Sequence, residues 1–187
     1  MKLFTRLDSR NQAYSLRELL EANIAQLWAQ AIEVSQAIDA DADRTATLAA
    51  LTPHPPPHLL AEALVAARAI KSKENRAKAL AALAPRLPAD QQPAVYAEAL
   101  AAARAIESEG NRAKALAALA PHLASYPTLD DQFAPTLRVL AQRGYPALLD
   151  DLRALRPWLA ALAKRRSLLA LCADLATAIT ETGRCWP

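Results

Sequence analysis

Three glycines, Gly110, Gly144 and Gly183, are all that 187 residues contain. That scarcity excludes the glycine-rich phosphate loops and dinucleotide turns whose backbone must approach a ligand closely. Two cysteines, Cys172 and Cys185, lack Cys-x-x-Cys spacing; they build no disulfide framework and fit a reducing compartment. Aromatic residues make up only 5%, and no β-branched or aromatic run is long enough for a strand. No stretch of about 18 uncharged apolar residues exists to span a bilayer. The first residues, Met1 to Asp8, carry no continuous apolar signal core. The expectation is a soluble cytoplasmic protein with no membrane partner.

What is abundant is alanine, 46 residues within a chain that is 53% hydrophobic. Alanine has the highest helix propensity and loses little side-chain entropy on ordering, so helix is the default conformation. The length suffices for one buried core. The formal charge of +3 is spread among interspersed acids and bases, which counts against a polyanion partner such as nucleic acid.

The segment 61–87 recurs 36 positions later as 97–123, with 22 of 27 residues identical. A fixed period of this size marks stacked repeats. The five differences are Val65/Ala101, Lys71/Glu107, Lys73/Glu109, Glu74/Gly110 and Arg86/His122, while Ile70/Ile106, Leu80/Leu116, Leu83/Leu119 and Leu87/Leu123 are unchanged. Charge inverts cheaply only in water, so the turn is read as solvated and the aliphatic frame as packed. Within the first copy, Leu59, Ala63, Ala66, Ala67 and Ile70 share one helical face, which predicts a helix from Pro57 to about Lys71. Ser72 caps a second helix that Pro85 stops, with Ala77, Leu80, Ala81, Leu83 and Ala84 as its buried stripe. Ser108 takes the capping place in the second copy.

A diverged earlier copy is read at an offset of 32, with Arg44 matching Arg76 and Pro53 matching Pro85. Helices are expected at 130–143, 146–152, 157–163 and 167–182. The fold class predicted is all-α, an αα-solenoid of about three helix-turn-helix repeats with a period of about 36 and helical caps at both ends. Its single domain divides into a diverged repeat at 15–55, repeats at 57–88 and 93–124, and a C-terminal cap at 130–187, in which Trp158 and Trp186 plug the exposed edge.

No residue pattern suggests catalysis, and the chain is read as a non-enzyme without cofactor or metal. His54-x-x-x-His58 has a ligand-like spacing but no third ligand nearby. Asp130-Asp131 and Asp150-Asp151 are read as solvated acids at helix ends, since neighbouring residues diverge around a helix. Cys172 is read as a small buried hydrophobe. Arg44, Arg76 and Arg112 recur on the apolar face of each second helix, where a guanidinium must find carbonyls or a carboxylate; their role is structural. Arg68 and Arg104 stand about 200° around the helix from Ile70 and Ile106 and, with Glu62 and Glu98, form the candidate partner-binding set.

The unit Ala67-Arg68-Ala69-Ile70 through Arg76-Ala77-Lys78-Ala79-Leu80-Ala81-Ala82-Leu83-Ala84-Pro85 resembles the alanine-rich helical repeats of bacterial multidomain proteins, arrays that often follow an NTPase module of the NACHT type. The stretches Leu137–Ala141 and Ala147–Leu152, ending in Trp186-Pro187, are similar to the terminal segment of such arrays. The resemblance covers roughly residues 30–187 and implies a sensor or scaffold, here without the NTPase module. The unit also resembles tetratricopeptide and HEAT-like repeats in length and in its late proline, and lacks the Trp-Leu-Gly-Tyr signature of the tetratricopeptide first helix. The function expected is protein–protein interaction with an unidentified partner; nucleic-acid binding along a basic stripe and self-association into a homo-oligomer are the alternatives.

Overall fold

The computed structural model describes residues 23, 26–33, 45 and 59–184, and every regular element among them is helical. The principal helices are α1 (Leu60–Arg68), α2 (Lys73–Leu83), α3 (Gln92–Arg104), α4 (Glu109–Ser125), α5 (Phe133–Ala141), α6 (Tyr145–Ala154), α7 (Arg156–Arg165) and α8 (Leu168–Arg184), with 3-10 turns at Ala84–Arg86 and Pro127–Gln132. Of the earlier segment, residues 26–33 are helical, and Trp28 and Ile32 join the common core. Arg44, His54, His58 and Trp186 lie outside the described residues, as does most of the diverged copy at 15–55.

Each helix packs on its chain neighbour through α4; α2 also touches α4, and α4 in turn packs on α6 and α7. Helix α5 lies against α3, α6 and α8. Alanines at 63, 66, 67, 77, 79, 99, 102, 103, 115 and 120 are buried. Small side chains let these backbones approach closely, while Leu80, Leu83, Leu100, Leu116 and Leu119 each remove roughly 1.5–3 kcal/mol of apolar surface from water.

The two near-twin segments build the same turn. After α1, Ile70 N–H bonds to Ala67 O at 3.3 Å; after α3, Ile106 N–H bonds to Ala103 O at 3.1 Å. Ser72 and Ser108 are both extended at the next helix start, with φ/ψ of −62°/120° and −65°/117°. Only Ser72 completes the cap, its Oγ accepting from Asn75 N–H at 3.3 Å. The first helix ends at Arg68, before the expected Lys71, while its expected start at Pro57 lies outside the described residues.

The prolines behave differently in the two copies. Helix α2 gives way to the 3-10 turn that contains Pro85, whereas α4 continues through Pro121 to Ser125. The cause is three residues further along. Pro88 disfavours helical geometry in the residue before it, and Leu87 is extended at φ −74°, ψ 158°. The second copy has Ala124 at that place, so Leu123 stays helical until Tyr126, which precedes Pro127, turns extended. The helix expected over 130–143 likewise begins as a 3-10 turn, and Gly144, at φ 101°, supplies the left-handed residue that separates α5 from α6.

Candidate functional site

The four residues of the expected partner-binding set are not assembled into one cluster. Arg68, the last residue of α1, meets Glu98 of α3 in a bidentate pair, Nε to Oε2 at 2.8 Å and Nη2 to Oε1 at 2.6 Å. Both side chains remain open to water, at 47% and 38% exposure. Glu62 is exposed in the first turn of α1. Arg104 is half-buried at the end of α3; its carbonyl accepts from Arg143 Nη2 at 3.2 Å, and its guanidinium has no carboxylate partner among the described residues. The expected exposed pair of guanidinium groups is therefore one satisfied arginine and one unsatisfied one. The difference lies in what the following helix offers, since Glu98 reaches Arg68 from α3.

The solvated turn carries more than solvent contacts. Lys73 of the first copy donates to Glu107 of the second at 3.0 Å, and Asn111 donates to Glu74 at 2.8 Å, with Lys78 also on Glu74. The ammonium of Lys73 holds the Glu107 carboxyl below its ordinary value. Had position 107 remained lysine, as in the first copy, it would oppose Lys73.

Arg76 and Arg112 occupy the corresponding inner places. Arg76 Nη1 donates to Ile70 O at 3.3 Å, and Arg112 Nη1 to Ile106 O at 3.2 Å. Arg112 is fully buried, and its Nε meets Asp151 Oδ2 at 2.8 Å. Asp151 is thus the correction to the reading of Asp150-Asp151 as solvated acids: Asp150 faces water beside Arg153, while Asp151 is enclosed. The other acid pair splits in the same way, Asp131 exposed and Asp130 buried against Arg165 at 2.9 Å. Neighbours point about 100° apart on the α-helix that carries Asp150-Asp151 and about 120° apart on the 3-10 turn that carries Asp130-Asp131, so one member of each pair turns inward. Burial pushes the Asp151 carboxyl above its ordinary range even with Arg112 beside it. Arg112 Nη2 and Asp151 Oδ1 lack partners among the described residues, which leaves this pair singly bonded.

Trp158 is fully buried and meets Phe133 edge-on, centroids 5.2 Å apart. Cys172, expected inside, is exposed, because α8 turns Leu171 and Ala178 inward instead.

A cluster that the sequence reading did not single out joins α3 to the end of α4. Tyr96 stacks on His122 with centroids 4.9 Å apart and shares a 3.0 Å hydrogen bond with its Nδ1; Tyr126 lies against Tyr96 and donates to Gln92 Oε1. The usable signal was the change from Arg86 to His122, one of five differences between the copies, next to Tyr96 where the first copy has Leu60. Burial, with Tyr126 adding to it, pushes the Tyr96 phenol up to about 12.

Among the described residues no three His, Cys, Asp or Glu side chains converge to hold a metal ion, and no helix is long and apolar enough to cross a membrane. Comparison with protein-family models, curated proteins and solved structures gives no match. The geometry is thus the basis for any functional reading.

Breaking the enclosed pair strands a charge. Arg112→Ala or Asp151→Ala should each lower the unfolding free energy by about 3–5 kcal/mol, while the joint replacement Arg112→Met with Asp151→Leu should return to within about 1 kcal/mol of the parent. Urea unfolding of the three variants checks this.

Alkali tests the aromatic cluster. The Tyr96 contribution is complete below about pH 10, where an unfolded tyrosine stays neutral, and is lost as pH rises from 10 towards 12, a loss of roughly 2–3 kcal/mol. Tyr96→Phe should flatten that alkaline decline when urea midpoints are compared at pH 9 and pH 11.

Proposed function

We propose that this chain is a non-catalytic αα-solenoid of about three helix pairs that serves as a scaffold or sensor for a protein partner. One observation carries the reading: two segments with 22 of 27 residues in common make the same turn, hold it with the same arginine-to-carbonyl bond and pack consecutively. A unit of that kind buries its apolar face only on the next unit, and its ends and outer faces remain for partners. The likeness to alanine-rich arrays on signalling NTPases supports the sensor role. The surface formed by α1 and α3, with Glu62, Arg68, Glu98 and Arg104, is the proposed contact face, and a cytoplasmic location belongs to the same reading.

A specific observation favours self-association as a second reading. On α8, Leu169 and Ile179 are 84% and 48% exposed, with Cys172, Ala173 and Ala176 also exposed. Nucleic-acid binding has less support, because Arg68, Lys73 and Lys78 are already paired with acids.

The architecture is tested by lengthening it. A second copy of residues 61–96 inserted after Tyr96, carrying Lys71→Glu to face the Lys73 before it, should fold with undiminished helicity per residue and a longer maximum dimension in small-angle scattering. A closed bundle would instead lose its cooperative unfolding. The interaction role is tested by affinity capture from cell lysate: a specific partner retained by the parent should fall at least tenfold with Arg68→Ala/Arg104→Ala. Equal retention by that variant would overturn the assignment of this face.

A further inference from the structure

The first helix of each pair presents the same series of buried positions. In α1 it is Leu60, Ala63, Leu64 and Ala67; in α3, Tyr96, Ala99, Leu100 and Ala103; in α5, Phe133, Thr136, Leu137 and Leu140. The steps are 36 and then 37 residues. Two positions after the first member stand Glu62, Glu98 and Pro135, and eight positions after it stand Arg68, Arg104 and Ala141. Arg68 reaches forward one unit to Glu98 with two hydrogen bonds. The place that corresponds to Glu98 one unit further on is Pro135, which has no acceptor in its side chain, and α5 packs on α3.

The molecule therefore contains its own demonstration of what this place in the repeat binds. At the occupied position the guanidinium takes a carboxylate in the planar, two-bonded form that arginine fits best. At the next position the arginine is kept and the carboxylate is missing. Arg143 bonds to the Arg104 carbonyl at 3.2 Å and also faces the carboxylates of Glu107 and Asp151, while Arg138 is exposed on α5. The acid on the nearby turn, Glu107, is engaged by Lys73 of the other side.

We infer that Arg104 is the docking point for a carboxylate on an acidic segment of a protein partner, which takes the place that Glu98 fills at Arg68. This rests on the proposed interaction role and names the partner's chemistry. The site recognises an Asp or Glu side chain presented at the junction of α3 and α5. Electrostatic recognition of this kind contributes mainly selectivity and on-rate, so the affinity for an isolated acidic peptide is weak.

The probe is a tetraglutamate peptide with acetylated and amidated ends, followed by the arginine Nε–Hε resonances in solution. The Arg104 resonance should shift with saturation in the millimolar range, while that of Arg68, already held by Glu98, moves by less than a third as much. Arg104→Ala should weaken peptide binding at least tenfold. Pro135→Glu restores the missing acid at a place in the first turn of α5 where a glutamate suits the helix dipole; it should abolish the peptide shift and move the Arg104 resonance to the Arg68 position without peptide. Equal shifts of Arg68 and Arg104, no Arg104 shift up to 20 mM peptide (about ten times the expected range), or a larger response to a single-stranded oligonucleotide of equal charge would each overturn the inference. If the resonance stays still while the captured partner is lost with the double alanine variant, the interaction role stands and only the carboxylate assignment falls.

Discussion

The Arg112 guanidinium is the charge around which the packing of this chain is arranged. It lies on the apolar face of α4, fully buried, and a cation there needs acceptors, which two of its three nitrogens find among the described residues. Carbonyls of the turn between α3 and α4 meet one nitrogen, and Asp151 of α6 meets another. These bonds fix the turn to the helix that follows it and fix that helix pair to the next element. Helix α6 cannot slide or rotate along α4 without stranding both charges. The same arginine in the preceding unit, Arg76, is only half-buried and is content with a carbonyl; the position 39 residues beyond it is Ala115, where Arg112 has Asp151. Full enclosure is what makes the carboxylate necessary.

The near-identity of the two copies and the differences between them do separate work. The constant positions are aliphatic and alanine side chains that fill the interior, where a change of one methylene is felt. Of the five positions that differ, four take part in contacts between units or within the aromatic cluster: Glu107 takes Lys73, Glu74 takes Asn111, and His122 takes Tyr96. Exposed pairs of this sort contribute little to stability, typically under about 1 kcal/mol each. Their effect is on order. Two copies with the same turn charges would repel at the Lys73 contact, so the inversion lets the first unit accept the second and not a duplicate of itself.

Much of the fold was legible because the alanine-and-leucine period is long, repeated and bounded by prolines and serines. Helices α1 to α4 and the buried series Ala63, Ala67, Ile70 and Leu80, Leu83 follow from spacing alone, and the inner placement of Arg76 and Arg112 follows from their register with those leucines. What spacing could not supply was the partner across the gap. Asp151 lies 39 residues from Arg112 and next to an exposed acid, and nothing local distinguishes it from Asp150. Cys172 sits in an apolar run, yet its burial is decided by which side of α8 meets α5. The end of α4 turned on Ala124 standing where Pro88 stands, a difference just outside the aligned block. Of the candidate site, the residues Arg68, Glu98 and Arg104 were visible as exposed and repeated, but which arginine was free depended on the next helix.

That dependence explains where specificity can reside in a chain of this composition. Alanine faces are nearly interchangeable, so an interior built from them recognises almost any other alanine face and discriminates poorly. Discrimination must come from directional groups at the margins, and arginine is suited to this because its planar donors demand a matching acceptor geometry. Inside the molecule that demand is met in sequence, by Glu98 for Arg68 and by Asp151 for Arg112. It is left unmet at Arg104, where the repeat gives way to the diverged helices α5 to α8 and Pro135 replaces the acid. A unit that is copied keeps its arginine whether or not the next unit keeps its glutamate. The border between the regular and the diverged units is therefore where an unpaired guanidinium arises from the repeat logic itself, and under the proposed interaction role it is where a partner's carboxylate would complete a contact that the chain has already made once.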